Sequence, residues 1–478
     1  MKRLNGMDAM LLYSETPNVH THTLKVAVID ATGYDGEYGF DAFRRTIARR
    51  LHLLDPLRYR LIDIPWRMHH PMWLPDCPVD LDYHLRRVAV PAPGGRRELD
   101  QVIGEVASTP LDRSKPLWEF HFAEGMADNR FALIGKVHHT LADGVASANL
   151  LARLMDLAGP VQDEREEAPE SCEPPSRGQL LREAQLDHVK NVAELPGLMV
   201  DTVRGLSRLR RRAKERRANP DLAKPFNAPP TFLNHVVSPV RTFATATLSL
   251  AEVKETAKHL GVTFNDIVLA MAAGGLRELL LRYDGRADRP LLATVPISTD
   301  RSADRVTGNE IGGLMVSVPV HVDDPAQRVR LTAEATSRAK ENNELLGPTL
   351  QARFLEYLPP PLAPSLFRVQ AKRADHNRLM NVAISNVPGP RQRGHIGGAP
   401  VSEIYSVGVL SAGSAFNMTV WSYVDQVDIA VLSDDRTFAD THEATDAMVH
   451  AFDELRSACG LPRAATVASA MAPAACRS

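Results

Sequence analysis

Apolar and polar positions alternate with period two along several short stretches, and recur at helical spacing along others. The order of the two patterns predicts a layered α/β protein built as two halves and a connector. In the first half, residues 22–30, 119–123 and 130–138 read as strands, and 40–51, 99–107 and 145–156 as helices. Residues 161–175 are rich in Asp, Glu and Pro, cannot bury much apolar surface and read as a solvated linker. The second half opens with an alternating strand at 241–250 and helices at 251–260 and 266–283. Strands follow at 291–296, 315–320, 381–386, 416–423 and 427–433, with a closing helix at 439–458 and an Ala-rich end at 464–478 that reads as disordered. The division is therefore 1–160, a connector at 161–230, 231–460, and a tail at 461–478.

The strand at 130–138 runs into His138-His139-Thr140-Leu141-Ala142-Asp143-Gly144. Side chains on a strand point alternately to opposite faces, so if the strand continues through both, the two imidazoles face opposite ways and only one serves a given site. His139 is the expected base and His138 packs behind it. Asp143 is placed to brace the loop backbone or a distant Arg, and Gly144 to supply a permissive dihedral at the helix entrance. An imidazole with an ordinary pKa near 6.5 can take a proton from an alcohol or amine at neutral pH and return it. The chain has 17 His, and His69-His70 forms a second pair without this context.

Other chemistries lack their signatures. There is no Gly-x-Ser-x-Gly elbow, His-Glu-x-x-His helix, Walker loop or Gly-x-Gly-x-x-Gly turn. His442-Glu443 begins a zinc-like pattern, but Asp446 stands where the second His belongs, and no Cys-x-x-Cys pair exists, so no metal is expected. Direct transfer by a general base, without a covalent enzyme intermediate, remains. Hydrophobic residues at 44% and charged ones at 24% fit a core-forming globular protein, and a net charge of −2 gives no attraction to nucleic acid. Four cysteines, Cys77, Cys172, Cys459 and Cys476, lie far apart without metal spacing, which predicts a reducing cytosol. No signal peptide and no spanning apolar run are expected.

The string His138 to Gly144 resembles the HHxxxDG signature of the CoA-dependent acyltransferase superfamily, which includes chloramphenicol acetyltransferase-like enzymes and peptide-synthetase condensation domains. Pro-Leu-Asp-Arg-Ser-Lys-Pro-Leu-Trp-Glu at 110–119, Thr-Phe-Asn-Asp-Ile-Val-Leu-Ala at 263–270, Ser-Asn-Val-Pro-Gly-Pro at 385–390 and Lys-Arg-Leu-Asn-Gly-Met-Asp-Ala at 2–9 resemble motifs of bacterial wax ester synthase/acyl-CoA:diacylglycerol acyltransferases, in their actinobacterial form. The resemblance spans residues 2 to 460. It implies two chloramphenicol acetyltransferase-like halves with the active site between them. It further implies transfer of a long acyl group from CoA, as co-substrate, to a diacylglycerol or fatty alcohol hydroxyl, with no resident cofactor and His139 as base. The family's Asn-Asp motif falls on Asn265 and Asp266. From its position at a helix start, Asn265 reads either as an N-cap or as a donor to the oxygen that becomes negative during attack; Asp266 reads as structural. Trp118, with Pro116, reads as core or as a wall of the active-site region, and 385–390 as a strand end entering a turn.

Within 198–212, Leu198, Met199, Val203, Leu206 and Leu209 fall on one helical face and Arg204, Arg208, Arg211 and Arg212 on the other. This basic amphipathic pattern suits either an anionic membrane or lipid-droplet surface, visited from the cytoplasm, or a linker helix packed across the halves. Two alternatives to the acyltransferase remain: a condensation-type enzyme using carrier-bound thioesters, and a non-catalytic lipid-binding protein on the same fold.

Overall fold

The computed structural model describes residues 1–158, 172–302, 304–373 and 379–464. Most of the acidic linker and the Ala-rich tail lie outside the described residues.

Two six-stranded sheets carry the fold. The first runs, edge to edge, through His395–Ile396, Ala399–Val407, His22–Asp30, Arg130–His138, Trp118–Met126 and Leu85–Ala89. Its neighbours pair antiparallel except the last two. The second runs through Ile311–Val318, Leu291–Ser298, Val382–Pro388, Phe416–Tyr423, Gln426–Asp434 and Arg241–Ser249, with Val382–Pro388 parallel to both neighbours. A division at 160 and 231 therefore does not separate the sheets. Two strands from residues 395–407 cross back to finish the first one, and Ala399–Val407 pairs directly with His22–Asp30.

Each layer follows from its pattern. Alternate residues Leu24, Val26 and Val28 face helix Arg96–Ser108 and the second sheet, in one core with Val102, Ile103, Phe243 and Leu432. The opposite face packs on helices Phe40–Arg50 and Gly144–Leu154 through Ala27, Ile29, Phe43, Phe122 and Leu151. In the second half, helix Phe264–Tyr283 is apolar on nearly all sides and is surrounded by the sheet, Pro325–Leu346 and His442–Ala458. Gly274 and Gly275 allow this crowding: a Cβ on either would come within 2.6 Å of Ala451 Cβ or Met448 Sδ.

The connector is one 39-residue helix, Arg177–Glu215, entered through a capping box in which Ser176 and Gln179 satisfy each other's backbone N–H groups. It spans both halves. Asp187 pairs with Arg3 at 2.5 Å and His188 Nε2 lies 2.6 Å from the Met68 carbonyl. Further along, Gly205 sits against the Leu346 carbonyl and Arg212 pairs with Glu341. The amphipathic face read from 198–212 is divided by this packing: Leu198 is buried, whereas Met199, Val203 and Leu206 remain exposed. Among the described residues no single helix is long and apolar enough to cross a membrane.

Cys77 and Cys172 form a disulfide across 95 residues of sequence, which corrects the reading of four separate thiols. Cys459 is free and Cys476 lies outside the described residues. The bond ties the chain just before the connector helix to the first half, and restricts the unfolded ensemble over a long loop. Replacing both residues with Ser is expected to lower stability by about 2–4 kcal/mol in denaturant titration. A matching loss on reduction of the parent protein checks the pairing, and identical titrations for parent and variant would contradict it.

Candidate active site

A cavity of about 1130 Å³ opens between the halves. Thr23, Lys25 and His139 come to it from the first sheet, Thr294, Ser385 and Thr419 from the second, Ser406 from the crossing strand, and Met7 and Met10 from helix Gly6–Ser14. Its surface is mainly apolar, as in small-molecule sites generally, with polar side chains such as Gln351, Asn417 and Thr419 interspersed.

The strand Arg130–His138 delivers the histidine pair. His138 faces away from the cavity and is fully buried. Its Nδ1 accepts the Thr140 backbone N–H at 3.2 Å, leaving Nε2 facing Thr21 Oγ1 at 3.0 Å and Glu15 Oε2 at 3.7 Å. Against the effect of burial, His138 and Arg113 hold the Glu15 carboxyl well below the usual carboxylate range. His139 lies one residue beyond the strand, held by its own N–H to the Thr21 carbonyl at 2.8 Å, and lines the cavity.

Asn309 orients His139. Its Oδ1 lies 2.9 Å from His139 Nδ1, while its Nδ2 donates to Asp8 Oδ1 and to the His139 carbonyl, both at 2.7 Å. With the amide oxygen fixed as acceptor, Nδ1 carries the proton and Nε2 keeps its lone pair. Burial lowers the His139 pKa from its ordinary value and the Lys25 charge pushes the same way, against the Asp143 and Asn309 contacts. The imidazole is thus kept neutral, the form a base requires. Asp8 at the end of the chain of contacts is buried, which raises its pKa to about 7 although the Asn309 hydrogen bond opposes the rise.

Neither Asn309 nor a role for Asp8 was legible in the sequence. Asp8 lies within the quoted 2–9 segment, but nothing local shows that it meets residue 309. The available signal was Gly308-Asn309, a turn pair ahead of an apolar strand. Gly308 takes a φ of +82°, which favours Gly.

Asp143 reaches three partners. Its Oδ1 accepts the Ala146 N–H at 2.9 Å as N-cap of helix Gly144–Leu154, and Arg305 Nη2 lies 2.9 Å from its carboxylate. Its Oδ2 accepts the Glu310 N–H at 3.0 Å. The same loop meets the motif's backbone, with the Gly308 N–H donating to the Leu141 carbonyl at 2.8 Å. Gly144 is explained by space, not by dihedral: it has no positive φ, and a Cβ there would lie 3.1 Å from Val387. The His-containing motif thereby touches the 385–390 segment, whose Ser385 and Val387 line the cavity.

Other expected positions fall elsewhere. The N-cap of Phe264–Tyr283 is Thr263, which forms a capping box with Asp266; Asn265 lies inside the first turn. Asn265 Oδ1 accepts from Asn386 Nδ2 at 3.5 Å, and neither residue is among those lining the cavity. The geometry gives Asn265 no direct contact with the space that His139 faces. Trp118 is core: fully buried, stacked on His84 with centroids 4.3 Å apart, and donating from Nε1 to the Leu57 carbonyl at 2.7 Å. Pro116 is also buried, and neither forms a wall of the cavity. His69 and His70 are buried outside it, with pKa values pushed by burial down to about 3 and about 4. No group of three or more potential ligands that could hold a metal occurs among the described residues.

Residues 4–268 match the wax ester synthase/diacylglycerol acyltransferase catalytic domain, and 307–456 the C-terminal domain of the same family. A Mycobacterium tuberculosis (strain H37Rv) protein, assigned by name to the diacylglycerol O-acyltransferases, is 54% identical over 475 residues, covering 99% of this chain and 100% of the relative. The solved wax ester synthase/diacylglycerol acyltransferase of Marinobacter aquaeolei VT8 superposes with a TM-score of 0.66 at 26% identity, covering 96% of this chain and 100% of that one. The first condensation domain of the CDA synthetase, 16% identical with a TM-score of 0.58 over 99% of both chains, shares the fold. The chain is an acyltransferase and belongs to the wax ester synthase/diacylglycerol acyltransferase family.

Proposed function

We propose that the protein transfers a long-chain acyl group from CoA directly to the hydroxyl of a diacylglycerol, or of a long-chain alcohol, with His139 as general base. The observation that carries this reading is one imidazole, kept neutral by burial and held in a defined tautomer by Asn309, facing a largely apolar cavity. His139 Nε2 takes the hydroxyl proton as the alcohol oxygen bonds to the thioester carbon. The tetrahedral species then collapses, the carbon–sulfur bond breaks, and the imidazolium returns the proton to the thiolate. Nothing in this sequence needs a covalent enzyme intermediate.

Purified protein with labelled palmitoyl-CoA, offered a diacylglycerol, a long-chain alcohol and an amine in parallel, tests the acceptor class. Ester products are expected, and amide as the main product would favour the condensation-type alternative. His139→Ala should lower kcat by about a hundred- to ten-thousandfold. Asn309→Leu should lower it by at least about tenfold with an unchanged circular dichroism spectrum, because Nδ1 loses its acceptor. Parent-like rates for His139→Ala would overturn the base assignment, and no acyl product from the parent with any acceptor would leave only a lipid-binding role.

The pH profile supplies a second check. A depressed histidine pKa leaves the base form present further into acid, so kcat/KM should stay level through neutrality. Its acid limb should lie below the ordinary value of about 6.5. A midpoint above that value would contradict the proposed environment.

The lipid acceptor implies contact with a membrane or droplet surface, and the connector helix supplies a candidate face. Val189, Val192, Met199, Val203 and Leu206 form an exposed apolar stripe, with Val192 at 69% and Val203 at 64% exposure. Exposed Arg204, Arg208 and Arg211 lie beside it. Each basic residue near an anionic surface contributes about 1 kcal/mol. Changing these three Arg to Glu should abolish pelleting with phosphatidylserine-containing vesicles, and unchanged pelleting would remove this face from the proposal.

A further inference from the structure

One charged group in the cavity has no role in the reaction as written. Lys25 is the only cationic side chain lining the cavity among the described residues. It stands on His22–Asp30 opposite Gly135, three rungs along the ladder from His22 opposite His138. That is roughly 10 Å along the strand. Thr23 and Ser147 join Lys25 where the cavity meets a narrower apolar chamber lined by Leu54, Phe120, Leu133 and Leu151.

The protein supplies little to offset this charge. Among the described residues, Lys25 Nζ makes one hydrogen bond, to Ser406 Oγ at 2.6 Å, and lies 5.3 Å from the centre of the Trp421 ring. Among the described residues no carboxylate forms an ion pair with it. Asp143, the acidic residue in the cavity wall, is taken by Arg305 and two backbone N–H groups. Burial lowers the Lys25 pKa to about 8 although the nearby Asp143 charge opposes the shift, so the cationic form persists at neutral pH. An ammonium partly withdrawn from water is unfavourable without a counter-charge. A residue of this kind in a working cavity calls for a negative partner that arrives with the substrate.

The reaction creates such a partner at one place. Acyl-CoA carries its phosphates far from the thioester, at the other end of the pantetheine arm. Near the transferred carbon, negative charge appears only as the carbonyl oxygen is attacked and as the thiolate departs. Asn265, the sequence candidate for stabilising that oxygen, has no contact with the cavity.

We propose that Lys25 is a second catalytic residue, whose ammonium donates a hydrogen bond to the thioester carbonyl oxygen as it becomes negative. The proposal rests on the His139 reading. As the alcohol oxygen bonds to the carbonyl carbon and His139 takes the proton, the π electron pair moves onto the carbonyl oxygen facing Lys25. On collapse that pair re-forms the double bond, the carbon–sulfur bond breaks, and the thiolate receives the proton from His139. Lys25 gains and loses no proton. The same charge also disfavours protonation of His139, so one lysine helps keep the base in its working form.

The test compares full-length parent, Lys25→Met, Lys25→Arg and His139→Gln with labelled palmitoyl-CoA and the preferred acceptor. Lys25→Met should lower kcat by about a hundred- to a thousandfold, the usual effect of losing one such donor. KM for acyl-CoA should stay within about threefold, because the contact forms only in the transition state. Lys25→Arg, which keeps the charge, should retain more activity than Lys25→Met. The melting midpoint of Lys25→Met should be unchanged or raised, since no buried carboxylate is orphaned by the change.

A Lys25→Met kcat within about threefold of the parent would overturn the proposal. So would a raised KM at constant kcat, which marks ground-state binding, or a fall in kcat matched by a fall in melting midpoint, which marks a structural role. His139→Gln separates the two readings. If it is as active as the parent, the base assignment fails; if it is inactive while Lys25→Met is fully active, only the Lys25 assignment fails.

Discussion

The site depends on the buried carboxylate of Asp143. It belongs to the first half, yet two of its three partners, Arg305 and the Glu310 backbone, come from the second. The third, Ala146 N–H, begins the helix behind the motif. This clamp holds residues 305–310 against 139–143 and so brings Asn309 to His139. Removing one member of such a buried pair typically costs about 3–5 kcal/mol, because the other charge is left without a partner. The geometry of the base therefore rests on a contact made by a residue whose own charge is fully occupied.

The sequence was most legible where structure is local. Strands His22–Asp30, Arg130–His138 and Phe416–Tyr423 have the boundaries that alternation alone implies. The histidine pair faces opposite ways, but alternation alone does not dictate it, since the strand ends at His138 and His139 stands in the turn that follows. Capping was read two residues off: Asn265 was a candidate N-cap, but Thr263 with Asp266 makes a capping box, the stronger signal three residues apart.

What the sequence did not reveal is non-local. The strand Ala399–Val407 joins a sheet whose other members begin at residue 22, and no pattern within nine residues announces its partner. Asn309, Asp8 and Arg305 acquire their roles only when the second half closes on the first. Gly144 illustrates the same point, since its lack of a side chain answers to Val387, 243 positions away in sequence. Nothing in the local sequence singles out Lys25, because the cavity it faces exists only in the assembled protein.

The crossing strand also governs how the molecule is made. His22–Asp30 is synthesised early, but one of its two edges stays open until Ala399–Val407 leaves the ribosome. During that interval a nascent chain exposes unpaired backbone amides beside apolar side chains, the arrangement most prone to pairing with a neighbour. Such long-range closure slows folding. A chain that stops before residue 399 leaves that edge of the amino-terminal sheet without its partner strand.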